Sequence, residues 1–196
     1  MRAQEMEAEA TRIVRESIDA HHRLLAQSID DLARVAAVLR GTLQSGGKVL
    51  LFGNGGSAAD AQHVAAELVG RFLRNREPWP AIALTTDTSI LTAVANDFAY
   101  EEVFARQVTA LGRVGDLAVG ISTSGRSPNV LKGLEAARAK GCSTLGVTGA
   151  DPGELVGRCD HLLAVPASET PRIQELHLLA WHIICDLTER AMVGAS

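Results

Sequence analysis

Five short apolar runs, each followed by a stretch with helical periodicity, constrain the fold of this chain more than any other feature. The runs have the length of strands and are bounded by Gly, Pro, Asp or Thr; they lie at 48–53, 81–84, 116–121, 143–149 and 161–166. Helical patterns lie near 57–73, 89–95, 100–111, 127–140 and 171–192. Strands that alternate with helices pair in parallel through right-handed crossovers. The pattern therefore predicts an α/β fold with a parallel sheet covered on both faces.

The first forty residues predict helix, because apolar side chains keep to one face; they are Val14, Ile18, Leu25, Leu32, Val35 and Leu39. Ser28 and Asp31 resemble a capping pair and predict a break into two helices. We expect one domain over 1–196, with an N-terminal helical extension of about 1–45 and an α/β core of about 46–196. Such an extension packs either on a partner subunit or on its own domain, and the sequence leaves both alternatives open.

Composition excludes several functions. The 196 residues carry 19 Lys+Arg and 23 Asp+Glu, a net charge of −4, which argues against binding to duplex nucleic acid. Four Phe, two Trp and one Tyr are too few for a surface that stacks single-stranded bases. The sequence has neither a secretory signal nor an uncharged apolar run of membrane-spanning length, and its three cysteines lack the spacing of a zinc or disulfide framework. We therefore expect a cytoplasmic protein with no nucleic-acid or membrane partner.

Two strand-to-helix junctions have the composition of phosphate-binding loops. Asn54-Gly55-Gly56-Ser57 follows the first apolar run, and Ser122-Thr123-Ser124-Gly125-Arg126-Ser127 follows the third. Glycines let backbone amides approach an anion, hydroxyls donate to it, and the next helix presents free N–H groups. Neither loop has the spacing of a nucleoside triphosphate or dinucleotide motif. A small phosphorylated ligand is the favoured interpretation, although Gly/Ser turns also cap helices for structural reasons alone.

A stripe of polar side chains follows the first of these loops. Asp60, His63, Glu67 and Arg71 fall within an arc of about 80° on the predicted helix. The stripe is either a solvated face or a functional one, and His63 with Glu67 at i,i+4 has the spacing of a metal clip.

The last predicted helix carries polar residues within an apolar pattern. Gln174 and His182 lie about 12 Å apart along an unbroken helix. They can bind one ion only if the helix begins at Gln174 or if the ligands come from different subunits.

Four segments of the chain resemble the SIS (sugar isomerase) superfamily. They are GNGGSAADAQHVAAELVGRF (53–72), LTTDTSILTAVANDF (84–98), GISTSGRSPNV (120–130) and RIQELHLLAWHI (172–183). The resemblance extends from about residue 30 to residue 190. It implies a doubly wound five-stranded parallel sheet flanked by helices, N-terminal helices used in oligomerisation, and a homotetramer with active sites at subunit interfaces.

The resemblance also implies roles for individual residues. The residues that it implies as substrate contacts are Asn54, Gly55, Gly56, Glu67, Asn96, Asp97, Ser122, Thr123, Ser124, Ser127 and Gln174. It also implies one zinc ion per subunit, bound by His63, Glu67, Gln174 and His182, all of which are present. Pro171 is a departure, since some relatives have an acidic residue there.

The activity that the resemblance implies is the conversion of sedoheptulose 7-phosphate to D-glycero-D-manno-heptose 7-phosphate through an enediol. Glu67 is then the base and His182 the acid. The alternative is a non-catalytic SIS protein that binds the bacterial replication initiator. That relative looks to have lost the acid and the imidazole at these two positions, whereas this sequence keeps both.

Overall fold

Five parallel strands form the central sheet of the computed structural model, which describes residues 2–193. They are β1 (Val49–Gly53), β2 (Ala81–Ala83), β3 (Leu117–Ile121), β4 (Ser143–Thr148) and β5 (His161–Ala164). Their order is β2-β1-β3-β4-β5, and all four pairings are parallel. Each predicted strand is thus confirmed to within two residues at either end, and so is the doubly wound α/β fold.

Seven α-helices connect and flank the strands within the described residues. They are α1 (Ala3–Gln27), α2 (Ile29–Gln44), α3 (Gly56–Val69), α4 (Thr88–Asp97), α5 (Val103–Leu111), α6 (Pro128–Ala139) and α7 (Thr170–Val193). Every predicted helical segment is found, with a 3-10 turn at Tyr100–Glu102 ahead of α5. None of the helices within residues 2–193 combines the length and apolar character of a membrane span.

The break between α1 and α2 lies at Ser28, as predicted, but the predicted capping pair is wrong. The Ser28 hydroxyl makes no cap hydrogen bond, and Asp31 instead pairs with Arg34 at 2.6 Å. The backbone makes the turn: the Ser28 N–H donates to Leu24 O, and Ser28 O accepts from the Leu32 N–H, both at 3.0 Å. The buried Ser28 side chain is therefore not needed as a cap.

The core lies on both faces of the sheet. In β1, Val49 and Leu51 pack in the cluster that α2, α3 and α7 cover, while Leu50 and Phe52 pack in the cluster that α5 and α6 cover. All five residues of β1 and of β3 are buried. Strands buried on both faces need apolar side chains at every position, which explains the continuous runs in the sequence.

The N-terminal helices cover the chain's own core only in part. Helix α2 contributes six buried residues, whereas α1 buries Ala20 and Leu24 alone among its 25. These two pack beside Ile173 and Leu176 at the start of α7. The remaining large apolar side chains of α1 are exposed; they are Met6, Ile13, Val14, Ile18 and Leu25.

Helix α3 is shorter than the predicted segment 57–73, because it ends at Val69. The Gly70 N–H makes the last helical bond, to Ala66 O. The next amides, at 72–74, donate to the carboxylate of Glu189 and not to helix carbonyls. Arg71 therefore lies beyond the helix, and its predicted place in the polar stripe is wrong.

Candidate active site

The two predicted phosphate loops meet where the strand order reverses, between β1 and β3. Ligands of doubly wound sheets bind at this switch point, at the carboxyl ends of the strands. Gly53 and Ile121, the last residues of the two strands, are register partners. The loops that follow them are consequently neighbours, as the sequence predicts.

A reciprocal pair of amides joins the two loops. Asn54 Nδ2 donates to Asn129 Oδ1, and Asn129 Nδ2 donates to Asn54 Oδ1, both at 2.8 Å. Asn129 is buried at the start of α6, and the Tyr100 hydroxyl also donates to Asn54 Oδ1, at 3.1 Å. Sequence reasoning missed both Asn129 and Tyr100. A signal for Asn129 was available, since it follows the proline that begins α6.

The loop after β3 gathers three hydroxyls. Ser122 Oγ lies 2.9 Å from Ser127 Oγ and 3.5 Å from Ser124 Oγ. Thr123 lies in the same loop, and the N-terminus of α6 follows it. Hydroxyl donors next to the free N–H groups of a helix form a site suited to an anion such as a phosphate.

Glycine is required within this loop at position 125. Gly125 has φ of +64°, and a Cβ there would lie 2.1 Å from the Pro152 carbonyl oxygen. The Glu154 N–H donates to Gly125 O at 3.0 Å, and Arg126 pairs with Asp151 at 2.8 Å. The segment after β4 therefore holds the hydroxyl loop in place.

A cluster of two imidazoles and a carboxylate lies farther along α3. His63 Nε2 is 2.9 Å from His182 Nε2 and 3.3 Å from Glu67 Oε1. The His63 and Glu67 side chains are 40% and 20% exposed, so the cluster is accessible. The Phe72 ring stacks on His182 with centroids 5.3 Å apart. The structure thus brings together three of the four predicted zinc ligands, including both predicted catalytic residues.

Asp60 lies one turn before His63, with one carboxylate oxygen that is buried and has no hydrogen-bond partner among the described residues. Burial raises the pKa of Asp60 to about 6, and the nearby His63 opposes the shift. A half-buried acid without a partner is a cost to folding that is typical of functional sites. Its place in the polar stripe was predicted, but a role in the site was not.

The donor set of the cluster suits a metal ion. Ligand atoms of His63, Glu67 and His182 all lie within 4.8 Å of one another. Two imidazoles and a carboxylate are a known zinc ligand set, and two nitrogens bound to tetrahedral zinc lie about 3.3 Å apart. The observed 2.9 Å separation needs only a small outward movement of the two rings.

Gln174, the fourth predicted ligand, lies elsewhere in this chain. Its side-chain amide packs against Gly56 at the start of α3, where an added Cβ would come within 2.2 Å of Nε2. Because α7 separates it from His182 by about 12 Å, Gln174 of the same chain lies outside the metal cluster. Its role as a ligand stays a prediction, one that a different subunit's Gln174 would satisfy.

The remaining predicted residues lie around the loops. Gly55 has φ of +56° at the turn into α3. Asn96 and Asp97 are exposed at the end of α4, where Asn96 Nδ2 donates to Asp97 Oδ1 at 2.8 Å. Their contact is with each other, and their roles toward a substrate stay predictions.

The sheet order, the hydroxyl loop at the switch point and the acid–imidazole cluster between α3 and α7 define a protein of the SIS domain class. Residues 14–149 match the SIS domain family. A phosphoheptose isomerase of Roseiflexus sp. is 53% identical over 176 residues, which cover 90% of this chain and 89% of that relative. This chain belongs to the phosphoheptose isomerase family.

Solved structures agree with this assignment. A phosphoheptose isomerase from Neisseria gonorrhoeae is 42% identical with a TM-score of 0.89, covering 94% of this chain and 98% of that one. Another, from Francisella tularensis, is 35% identical with a TM-score of 0.91, covering 97% and 100%. The family resemblance carried by the four sequence segments is therefore confirmed, and so is the expectation of an isomerase.

Proposed function

We propose that this protein converts sedoheptulose 7-phosphate into D-glycero-D-manno-heptose 7-phosphate, the first step of bacterial heptose synthesis. The observation that carries the proposal is that the hydroxyl loop after β3 lies beside the start of α3, and that the acid–imidazole cluster lies farther along α3, where His182 of α7 meets His63. Gly56 at the start of α3 and His63 are about 10 Å apart along the axis. A single extended molecule with a phosphate at one end and a carbonyl at the other would reach both.

In this proposal the phosphate is held by the loop after β3, through Ser122, Thr123, Ser124 and Ser127. Hydroxyls and the dipole of α6 bind the anion, so the negative net charge of the chain does not oppose binding. Further contacts to the sugar come from Asn54, Gly55, Gly56, Asn96, Asp97 and Gln174. The amide pair at the switch point supports this assignment, because it fixes Asn54 beside the hydroxyl loop.

Isomerisation moves a proton from C1 of the ketose to C2 while the oxygens exchange a proton. Glu67 takes the C1 proton, and the electron pair forms the C1–C2 double bond of an enediol. His182 transfers the proton between the two oxygens, and Glu67 returns a proton to C2. Their proximity around His63 supports this division of tasks.

The family resemblance further suggests one zinc ion per subunit on His63, Glu67, Gln174 and His182. When bound, zinc supplies positive charge that stabilises an anionic oxygen of the substrate. The close approach of His63, Glu67 and His182 supports a zinc site there. The lone pairs of Glu67 and His182 serve either the ion or a proton, and not both at once.

We further propose a homotetramer with interfacial active sites. Every residue of α4 is at least partly exposed, and Ile90, Phe98 and Tyr100 are exposed apolar or aromatic side chains in and after it. Tyr100 also hydrogen-bonds Asn54, so a subunit that covers this face would adjoin the substrate loops. The exposed apolar side of α1 offers a second contact surface.

A cytoplasmic location and a small-molecule substrate complete the proposal. The free thiols of Cys142, Cys159 and Cys185 suit a reducing compartment. The relatives named above favour an isomerase over the alternative of a protein that binds the replication initiator.

The test is to incubate the purified protein with sedoheptulose 7-phosphate in D₂O and to follow C2 by NMR. The proposal predicts an aldose phosphate that carries solvent deuterium at C2. No conversion, with or without added zinc, would contradict it and favour the initiator-binding alternative. Light scattering of the same sample measures the oligomeric state.

A further inference from the structure

Glu189 is a fully buried carboxylate outside the proposed catalytic cluster. It lies on α7, two turns after His182. Three consecutive backbone N–H groups at 72–74 donate to it at 2.8–2.9 Å, and Arg76 Nε donates at 3.0 Å. Burial raises the pKa of Glu189, but these donors outweigh it, so the net shift is downward. A buried charge is tolerated only where it is satisfied in this way.

Arg76 extends this network to the end of α3. Its side chain is 3% exposed and lies over the Trp79 ring, 3.5 Å from the centroid. Arg76 Nη2 donates to the main-chain carbonyl of Glu67 at 2.8 Å, and Nη1 donates to that of Leu68 at 2.9 Å. These carbonyls have no partner within the helix, and a positive charge suits a helix C-terminus. Arg76 therefore fixes the turn from which the Glu67 side chain projects.

Phe72 links the same carboxylate to His182. Its N–H donates to Glu189 at 2.9 Å, and its ring stacks on the His182 imidazole at an interplanar angle of 30°. His63 contacts the imidazole as well, at a centroid distance of 5.2 Å. Glu189 thus holds in place one of the two rings that define the position of His182.

We propose that Glu189 and Arg76 are positioning residues for proton transfer: the pair sets the distance between Glu67 and His182 by fixing the C-terminal turn of α3 and the ring of Phe72. The inference rests on the proposed function, because it matters for turnover only if Glu67 and His182 move protons. Both side chains are too buried to contact a substrate, so their effect is indirect.

A second ion pair between the same two segments provides a matched control. Asp186 lies one turn before Glu189 on α7 and pairs with Arg74 at 2.7 Å. It joins α7 to the segment after α3, as Glu189 does. Its carboxylate, however, accepts hydrogen bonds from the side chains of Arg74 and Arg190, and not from the Phe72 amide.

The experiment compares Glu189→Gln and Arg76→Lys with Asp186→Asn. For each variant, kcat and KM are measured with sedoheptulose 7-phosphate, and the imidazole ¹⁵N signals of His63 and His182 are recorded. A displacement of about 1 Å at a catalytic group costs up to about a hundredfold in rate. We expect kcat of Glu189→Gln to fall about tenfold to a hundredfold, with KM within about twofold and shifted His182 signals. Asp186→Asn leaves both readouts unchanged.

Unshifted imidazole signals and normal kcat in a folded Glu189→Gln would overturn the proposal. Equal losses in Asp186→Asn would overturn it too, since any link between the segments would then suffice. If Glu189→Gln does not fold, Arg76→Lys decides by the same criteria, because it keeps the charge and loses the fork that reaches both carbonyls. The imidazole signals test positioning even if the wild-type protein isomerises nothing, which separates this inference from the proposed function.

Discussion

The amide pair of Asn54 and Asn129 gives a prediction whose size follows from the structure. Asn129→Ala removes two hydrogen bonds of 2.8 Å at a residue that is 3% exposed. Each contributes about 1 kcal/mol net, so the free energy of unfolding falls by about 2 kcal/mol. Asn54 is only half-buried and its amide can turn to water, so it adds little further cost. For a chain of this length the loss corresponds to a decrease in Tm of about 4–8 °C.

The assay is a double-mutant cycle by chemical denaturation at one protein concentration. Asn54→Ala loses the same two bonds, so the double variant loses little more than either single variant, and we expect a coupling energy of about 1–2 kcal/mol. KM for the sugar phosphate should rise in Asn129→Ala, because Asn54 is no longer held. If the losses of the two single variants add to within about 0.5 kcal/mol in the double variant, the two amides do not stabilise each other.

Three further predictions concern the site. Because the pKa of Asp60 is raised to about 6, its contribution to stability is present below about pH 4 and is lost as the pH rises through 6. Asp60→Asn should therefore stabilise the protein at pH 8, by about 1 kcal/mol after solvent screening. A gain in Tm that is equal at pH 4 and pH 8 would contradict this. Gly125→Ala should lower the free energy of unfolding in denaturant titration by about 1–3 kcal/mol, because φ is +64° and the added Cβ meets the Pro152 carbonyl. Gly55→Ala should cost less, because its Cβ meets nothing within 4 Å. Equal losses in the two variants would show that the contact with Pro152 is unimportant. Zn²⁺ at a hundred times its Kd should raise the free energy of unfolding of the wild type by about 2.7 kcal/mol, and EDTA should reverse this. The same gain in His63→Ala would show that the ion binds elsewhere.

The strands and the anion loop could be predicted because their signals are local. A strand buried on both faces needs an unbroken apolar run, and β1 and β3 show one. The position of the hydroxyl loop follows from the rule that ligands bind at the carboxyl ends of parallel strands. The spacing of His63 and Glu67 on a helix likewise predicted that their side chains would meet.

The parts of the site that could not be predicted depend on contacts between distant residues. Asn54 and Asn129 are 75 positions apart, and Phe72 and Glu189 are 117 apart. The helical pattern of α3 continues past Val69, but the chain turns there because a carboxylate on α7 binds the next amides. The sequence of segment 57–73 contains no signal for its contact with Glu189. Gln174 shows the same limit, since only the structure places its amide against the start of α3.

The turnover of Glu67→Gln tests directly whether Glu67 and His182 perform proton transfer at the C-terminal end of α3. The amide keeps the shape of the side chain and cannot accept the C1 proton. We expect kcat with sedoheptulose 7-phosphate to fall at least about a hundredfold, and deuterium incorporation at C2 in D₂O to be lost. Near-normal turnover of a folded Glu67→Gln would show that Glu67 is not the base.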